Sequence, residues 1–154
     1  MNIPSPWDER LEALSSTIEE PRASAGVAAV RVYVGAAILA AHALPKLGEM
    51  LSGHGHFPEL VASMGFPVPN LFAWAATLAQ VAGALLLMLG LGTRVAALMV
   101  VSTLGVGIVG VHWGDPFPVV EAGVAYIVVL LALLLAGGGR YSLDRQLLTS
   151  ARGG

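Results

Sequence analysis

The feature that most constrains this 154-residue chain is a series of four long apolar segments. They cover residues 26–44, 71–91, 95–111 and 119–136. Each is close to the 17–25 residues that a helix needs to cross the hydrocarbon core of a bilayer. Because lipid offers no partner for backbone polar groups, each segment is predicted to be helical. The pattern therefore predicts an all-α protein built as a transmembrane four-helix bundle.

Composition points the same way and excludes several other classes of protein. The chain is 56% hydrophobic and 12% charged, whereas soluble domains carry about 25% charged residues. Eight basic and ten acidic residues nearly cancel, and no basic patch indicates a nucleic-acid partner. Since there is no cysteine, disulfides and cysteine-ligated metals are excluded. Any redox role therefore needs a bound cofactor or substrate, or a partner protein.

Short amphipathic helices are predicted outside the four spans. Residues 1–24 are interpreted as a cytoplasmic amphipathic segment, followed by the transmembrane domain at 25–154. The apolar positions of the first segment that recur at helical spacing are Trp7, Leu11, Leu14 and Ile18. A second short helix is predicted at 58–64, in the loop after the first span. A third follows Ser142, which can cap it.

The distribution of basic residues predicts the orientation of the bundle. All seven arginines precede the first span, open it, or lie in the segments on the same side as the termini. Only Lys46 falls on the other side. This positive-inside bias predicts cytoplasmic termini and two outer loops, at 45–70 and 112–118.

Polar side chains within the spans are candidate site residues, because polar groups are costly in lipid. Five of them fall in the outer half of the predicted bundle: His42, Lys46, Gln80, His112 and Glu121. His42 and Lys46 are four residues apart and so share a helical face. We expect all five to line one pocket that opens toward the outer leaflet.

Each of these residues also has a purely structural explanation, which the sequence leaves open. Lys46 can extend to the lipid headgroups. Gln80 and His42 can bond neighbouring helices. His112 can belong to an interfacial belt, and Glu121 can complement a helix dipole.

A metal site is not predicted in the first outer loop. His54 and His56 have Glu49 and Glu59 nearby, but glycines surround the histidines and no ligand spacing such as HExxH occurs. A flexible, solvated loop is the favoured interpretation of this stretch.

A second group of polar residues lies on the predicted inner side and is interpreted as structural. Its members are Arg31, Arg94, Arg140, Tyr141 and Asp144. We expect Asp144 to form an ion pair with one of the arginines and so lock the tail to the bundle. Tyr141 is expected to pack under the bundle.

The sequence resembles the DoxX family of small four-helix membrane proteins over about residues 31–144. The resemblance rests on RVYVGAAILAAHALPKL, MGFPVP, AQVAGALLLMLGLGTR and GGGRYSLD, with His112 and Glu121 between the last two. In one respect the chain departs from the family, which commonly has an acidic residue where Gln80 stands. Glutamine keeps hydrogen bonding and loses titration.

The resemblance implies a bacterial or archaeal cell (inner) membrane protein and leaves several functions open. Some relatives are subunits of thiosulfate:quinone oxidoreductase, and others accompany sulfur or oxidative-stress enzymes. One hypothesis is a quinone-interacting subunit of a membrane-associated oxidoreductase complex. A second is a non-catalytic anchor or assembly subunit for a partner complex. A small-molecule transporter is less favoured, because no inverted repeat is evident. Whether the chain itself catalyses a reaction stays open.

Overall fold

A computed structural model describes the backbone of residues 6–152 and the side chains of residues 21–150. Within these limits the fold is all-α. The helices are α1 (Pro6–Ile38), α2 (Leu44–Ser52), α3 (Phe57–Ser63), α4 (Pro69–Leu89), α5 (Thr93–Val111), α6 (Phe117–Ala136) and α7 (Leu143–Arg152). A single π-helical turn, Leu39–Ala43, joins α1 to α2.

The four predicted spans are confirmed as helices long and apolar enough to cross a membrane. They are Pro21–Ser52, Pro69–Leu89, Thr93–Val111 and Phe117–Ala136. The short helices also form: α3 lies within a residue of its predicted position, and the Ser142 hydroxyl accepts the Arg145 N–H at 3.3 Å to cap α7.

The first span ends later than predicted, because Pro45 does not end the helix. A proline has no N–H to donate, and its ring clashes with the carbonyl four residues back. The π-turn resolves this conflict by letting the Leu44 N–H reach back five residues to the Leu39 carbonyl. Pro45 then lies in the first turn of α2, and the helix continues to Ser52.

At the N-terminus the helix is continuous from Pro6 into the first span. The side chains of the predicted amphipathic face, from Trp7 to Ile18, lie outside the described residues. The division at residue 24 therefore stays a prediction.

The spans pack in chain order around the bundle. The first span packs on α4, α4 on α5 and α5 on α6, whereas α1 and α6 touch only sparsely. The core between them includes Ile38, Leu87, Val100 and Leu130, each fully buried. Glycines allow close approach: a Cβ on Gly35 would stand 2.8 Å from the Ala84 carbonyl oxygen.

The two ends of the bundle differ in character. We call one the histidine end; it carries His42, Lys46, α3 and His112. We call the other the arginine end; it carries Arg31, Arg94 and α7.

Candidate functional site

A cavity of about 630 Å³ lies at the histidine end. It is enclosed by the π-turn and α2 on one side, by α4 and α5 on two others, and by α3 as a cover. Its lining residues are His42, Lys46, Phe57, Leu60, Val61, Met64, Phe66, Phe72, Ala75, Ala76, Ala79, Met99, Ser102, Thr103, Val106, Gly107, Val111 and His112. The size and the mainly apolar lining are those of a small-molecule site.

Lys46 lines this cavity, and Gln80 lies behind it as its hydrogen-bond partner. The Lys46 ammonium donates to Gln80 Oε1 at 3.0 Å. Gln80 is fully buried in α4, and its Nε2 has no hydrogen-bond partner among the described residues. The ammonium also lies 4.7 Å from the ring centroid of Phe57 on α3. Lys46 therefore both lines the cavity and bonds to a buried side chain of the bundle.

The two predicted histidines reach the cavity from opposite sides. The π-turn carries His42, whose ring meets the edge of Tyr126 on α6 with centroids 5.8 Å apart. π-turns inside α-helices are frequent at functional sites. His112 follows the last residue of α5, and its Nδ1 lies 2.8 Å from Asp115 Oδ2. Four of the five predicted site residues thus come together, three in the lining and Gln80 behind Lys46.

Glu121 corrects the prediction of a single five-residue pocket. It is exposed on α6 and is not among the residues that line the cavity. The reason is rotational: α6 turns Leu130 into the core. Glu121 lies nine residues earlier, which at 3.6 residues per turn is half a turn around the helix. Counting residues gives the depth of Glu121 along α6, whereas the packing of α6 sets the direction of its side chain.

The cover formed by α3 was not predicted as part of the site. It contributes Phe57, Leu60, Val61 and Met64 to the lining. These four positions follow the i, i+3, i+4, i+7 spacing of an apolar helix face, so the sequence did carry a signal for them. A Cβ on Gly110 of α5 would overlap the Met64 sulfur, so the Met64 side chain, which follows α3, reaches α5.

At the arginine end the predicted ion pair is not what holds the tail, and this prediction is corrected. Asp144 Oδ1 accepts the Gly92 N–H at 2.9 Å and Oδ2 the Thr93 N–H at 3.4 Å. No ion pair within 4 Å joins Asp144 to an arginine in the described part of the chain. The first N–H groups of α5 have no partner inside the helix, and a carboxylate satisfies them.

Arg31 also attaches the C-terminal tail to the bundle. It is only 2% exposed and donates to the Leu87 carbonyl at 3.1 Å and to the Tyr141 carbonyl at 3.2 Å. The Tyr141 side chain is 53% exposed, so the expectation that it packs under the bundle is wrong. Arg94 donates to the Leu135 carbonyl at 3.3 Å, and Arg140 is exposed.

The two histidines of the first loop contact separate groups. His56 Nδ1 lies 3.3 Å from Glu59 Oε2 on the surface, and His54 Nδ1 lies 2.6 Å from the Ser52 carbonyl oxygen. Among the described residues no three His, Asp or Glu side chains come close enough to share a metal ion.

Comparison with known proteins identifies one relationship. The family model described as DoxX matches residues 26–113, more than half of the chain, and covers the first span, the cover helix, α4 and α5. Neither curated proteins nor solved structures provide a match.

Proposed function

The chain belongs to the DoxX family, and from this premise we propose that it is a quinone-binding membrane subunit of an oxidoreductase complex. The observation that carries the proposal is the cavity at the histidine end, which is lined by the hydrogen-bond donor Lys46 and by mainly apolar side chains. In this proposal the protein resides in the bacterial or archaeal cell (inner) membrane with both termini cytoplasmic.

The free donors of Lys46 suit the head group of a quinone. A quinone ring is flat and apolar apart from two carbonyl oxygens, which accept hydrogen bonds. Lys46 retains unused N–H donors beyond the one given to Gln80, and Gln80 Nε2 has no partner in the described structure. In the proposed complex one quinone carbonyl lies within reach of Lys46, and the ring packs between α3 and α4.

The cavity is reached from the side of the bundle. Ala75 on α4 and both Ser102 and Val106 on α5 line the cavity and are themselves exposed. All three lie within membrane-spanning helices. A ligand dissolved in the bilayer can therefore enter between α4 and α5, whereas α3 covers the water-facing side.

The chain supplies no carboxylate to this cavity. None of the described residues that line it is acidic, Gln80 cannot titrate, and Glu121 lies on another face. A proton relay through Glu121 is therefore unsupported. Binding by this chain, with the electron donor on a partner subunit, is the assignment that the geometry supports best.

Filling the cavity tests the proposal. Ala79→Phe introduces a ring where Ala79 lines the cavity, and it should remove quinone that co-purifies in mild detergent and abolish binding of a short-tailed quinone. Ala132→Phe, on the exposed surface of α6, is the matched control and should leave binding unchanged. Equal binding by both variants, with both folded, would contradict the proposal.

A second candidate, a non-catalytic anchor or assembly subunit, is favoured by α6. Only 11% of its most apolar stretch is buried, and Glu121 is exposed on it. A carboxylate facing lipid is costly, so a partner helix that covers this face would relieve the cost. A protein that co-purifies in fixed ratio and is lost with Glu121→Leu, while no quinone is found, would favour the anchor.

A further inference from the structure

We propose that the cavity at the histidine end takes the ionised, singly negative headgroup of a lipid-soluble acid, with Lys46 as the counter-ion. The inference deepens the proposed function and rests on it for the identification of the ligand as a quinone. Within that function, the preferred ligand is an acidic quinone in its ionised form rather than a neutral one.

Among the described residues no acidic group lies within 4 Å of the Lys46 ammonium, although Glu49 attracts it from further away. The groups that hold the ammonium, Gln80 Oε1 and the Phe57 ring, are both neutral. The ion pairs in the described part of the chain involve histidines only. Glu49, one turn further along α2, packs against Gly55 instead, where an added Cβ would overlap its side chain. A partly buried ammonium is costly without a counter-ion, and the cavity is the open volume beside it.

Lys46 also offers the cavity more N–H donors than its neighbours accept. An ammonium has three N–H donors, and Gln80 takes one of those of Lys46. The Nε2 group of Gln80 adds an unpartnered buried donor. Gln80 itself does not line the cavity, so the free donors that a ligand can reach are those of Lys46. A ligand that completes this arrangement must bring oxygen atoms that accept.

A small inorganic anion does not suit the rest of this cavity as a ligand. The remaining walls are mostly apolar, and the cavity opens between α4 and α5 at membrane depth. Small hydrated anions do not partition into that region, because transfer of an unpaired charge into lipid is strongly unfavourable. The geometry therefore points to an amphiphile with one charged head and an apolar body.

A matched pair of ligands tests the inference on the full-length protein in a neutral detergent. The probes are a 3-alkyl-2-hydroxy-1,4-naphthoquinone, which is ionised at neutral pH, and its 2-methoxy ether, which is neutral and carries the same ring and tail. Because hydrogen bonds to charged groups are the stronger ones, the hydroxy compound should bind at least about tenfold more tightly. Lys46→Met should bring the ratio of the two affinities close to one, and Lys46→Arg should keep it.

The two probes partition differently into micelles, but this difference is the same for every variant. It therefore cancels when the ratio of the two affinities is compared between variants. Arg94→Met is the control, because it removes the same charge at the arginine end, away from the cavity. Its ratio should equal that of the wild type. If Lys46→Met does not fold, displacement of the hydroxyquinone by decanoate but not by decanol, in the wild-type chain, gives the same information.

The outcomes separate this inference from the proposed function. Equal affinity of the wild type for the two naphthoquinones would overturn the inference and leave the quinone site standing. Binding of decanoate that depends on Lys46, with no naphthoquinone bound, would overturn the quinone assignment and keep the anion site. No binding of either class would overturn both.

Discussion

The carboxylate of Asp144 accepts the backbone N–H of Gly92 at 2.9 Å, so the C-terminal helix caps the third span. Asp144 also donates a hydrogen bond to the same connection, because its backbone N–H bonds to the Gly90 carbonyl at 3.2 Å. Arg31 attaches the tail a second time, because its guanidinium donates to the Tyr141 carbonyl. The tail is therefore fastened by side chains bonded to main-chain groups rather than by paired charges.

Asp144→Ala should destabilise the protein by about 0.5–2 kcal/mol, the usual cost of losing a helix N-cap. Asp144→Asn should cost less, because the amide oxygen still accepts one N–H. Thermal unfolding in detergent measures both. Asp115→Ala, which breaks only an exposed pair with His112, is the control and should change stability little. An unchanged midpoint for Asp144→Ala would show that the cap does not hold the tail.

Gly90→Ala should destabilise the protein by more than about 1 kcal/mol. Gly90 ends α4 with φ at +71°, where L side chains are strained, and an added Cβ would overlap the Arg31 guanidinium. Gly105→Ala on α5 is the matched control, since nothing lies within 4 Å of its added Cβ and helical alanine is favoured. The unfolding midpoint should fall for the first variant and hold or rise for the second.

Arg31→Met should lower stability by about 1–3 kcal/mol, because it leaves the carbonyls of Leu87 and Tyr141 without their buried donor. Arg94→Met removes the same charge from an exposed side chain and should cost much less. Chemical unfolding followed by circular dichroism compares the two. Equal losses would mean that net charge at this end, rather than the buried hydrogen bonds, sets the stability.

Glu121→Gln should leave quinone affinity unchanged, because Glu121 lies outside the cavity. Gln80→Leu should weaken it by about tenfold or more, since it removes both the acceptor of Lys46 and the free amide donor. Equilibrium binding of a short-tailed quinone distinguishes the two. A strong loss of quinone affinity with Glu121→Gln would show that Glu121 belongs to the binding site after all.

The absence of native cysteine allows a direct test of the proposed orientation. His54→Cys places one thiol in the exposed loop at the histidine end, and Ser150→Cys places one in α7 at the other end. A membrane-impermeant maleimide should label the first in intact spheroplasts and the second only after lysis. The reverse pattern would place the termini outside.

The cavity shows where sequence reasoning reached its limit. Depth along a helix follows from counting residues, and it placed His42, Lys46, Gln80 and His112 in the outer half of the bundle. Rotation about the helix axis follows from packing, and α6 meets its neighbours through Leu130 and Leu133, which turns Glu121 away. Because α6 is apolar on nearly every face, its sequence carried no periodicity that could have indicated this.

The sequence by itself determined the four spans, the cover helix and the Ser142 cap, because lipid and backbone hydrogen bonding allow few alternatives for long apolar segments. Tertiary structure alone decided three other features: the π-turn that carries the first span past Pro45, the placement of α3 over the cavity, and the partner of Asp144. The last two depend on groups far apart in the chain, whereas the π-turn is a local choice between ending the helix at Pro45 and continuing it. In the sequence, Asp144 has two kinds of possible partner, the arginines and the free N–H groups at the start of α5. Only the packed structure shows that its carboxylate bonds to the Gly92 N–H.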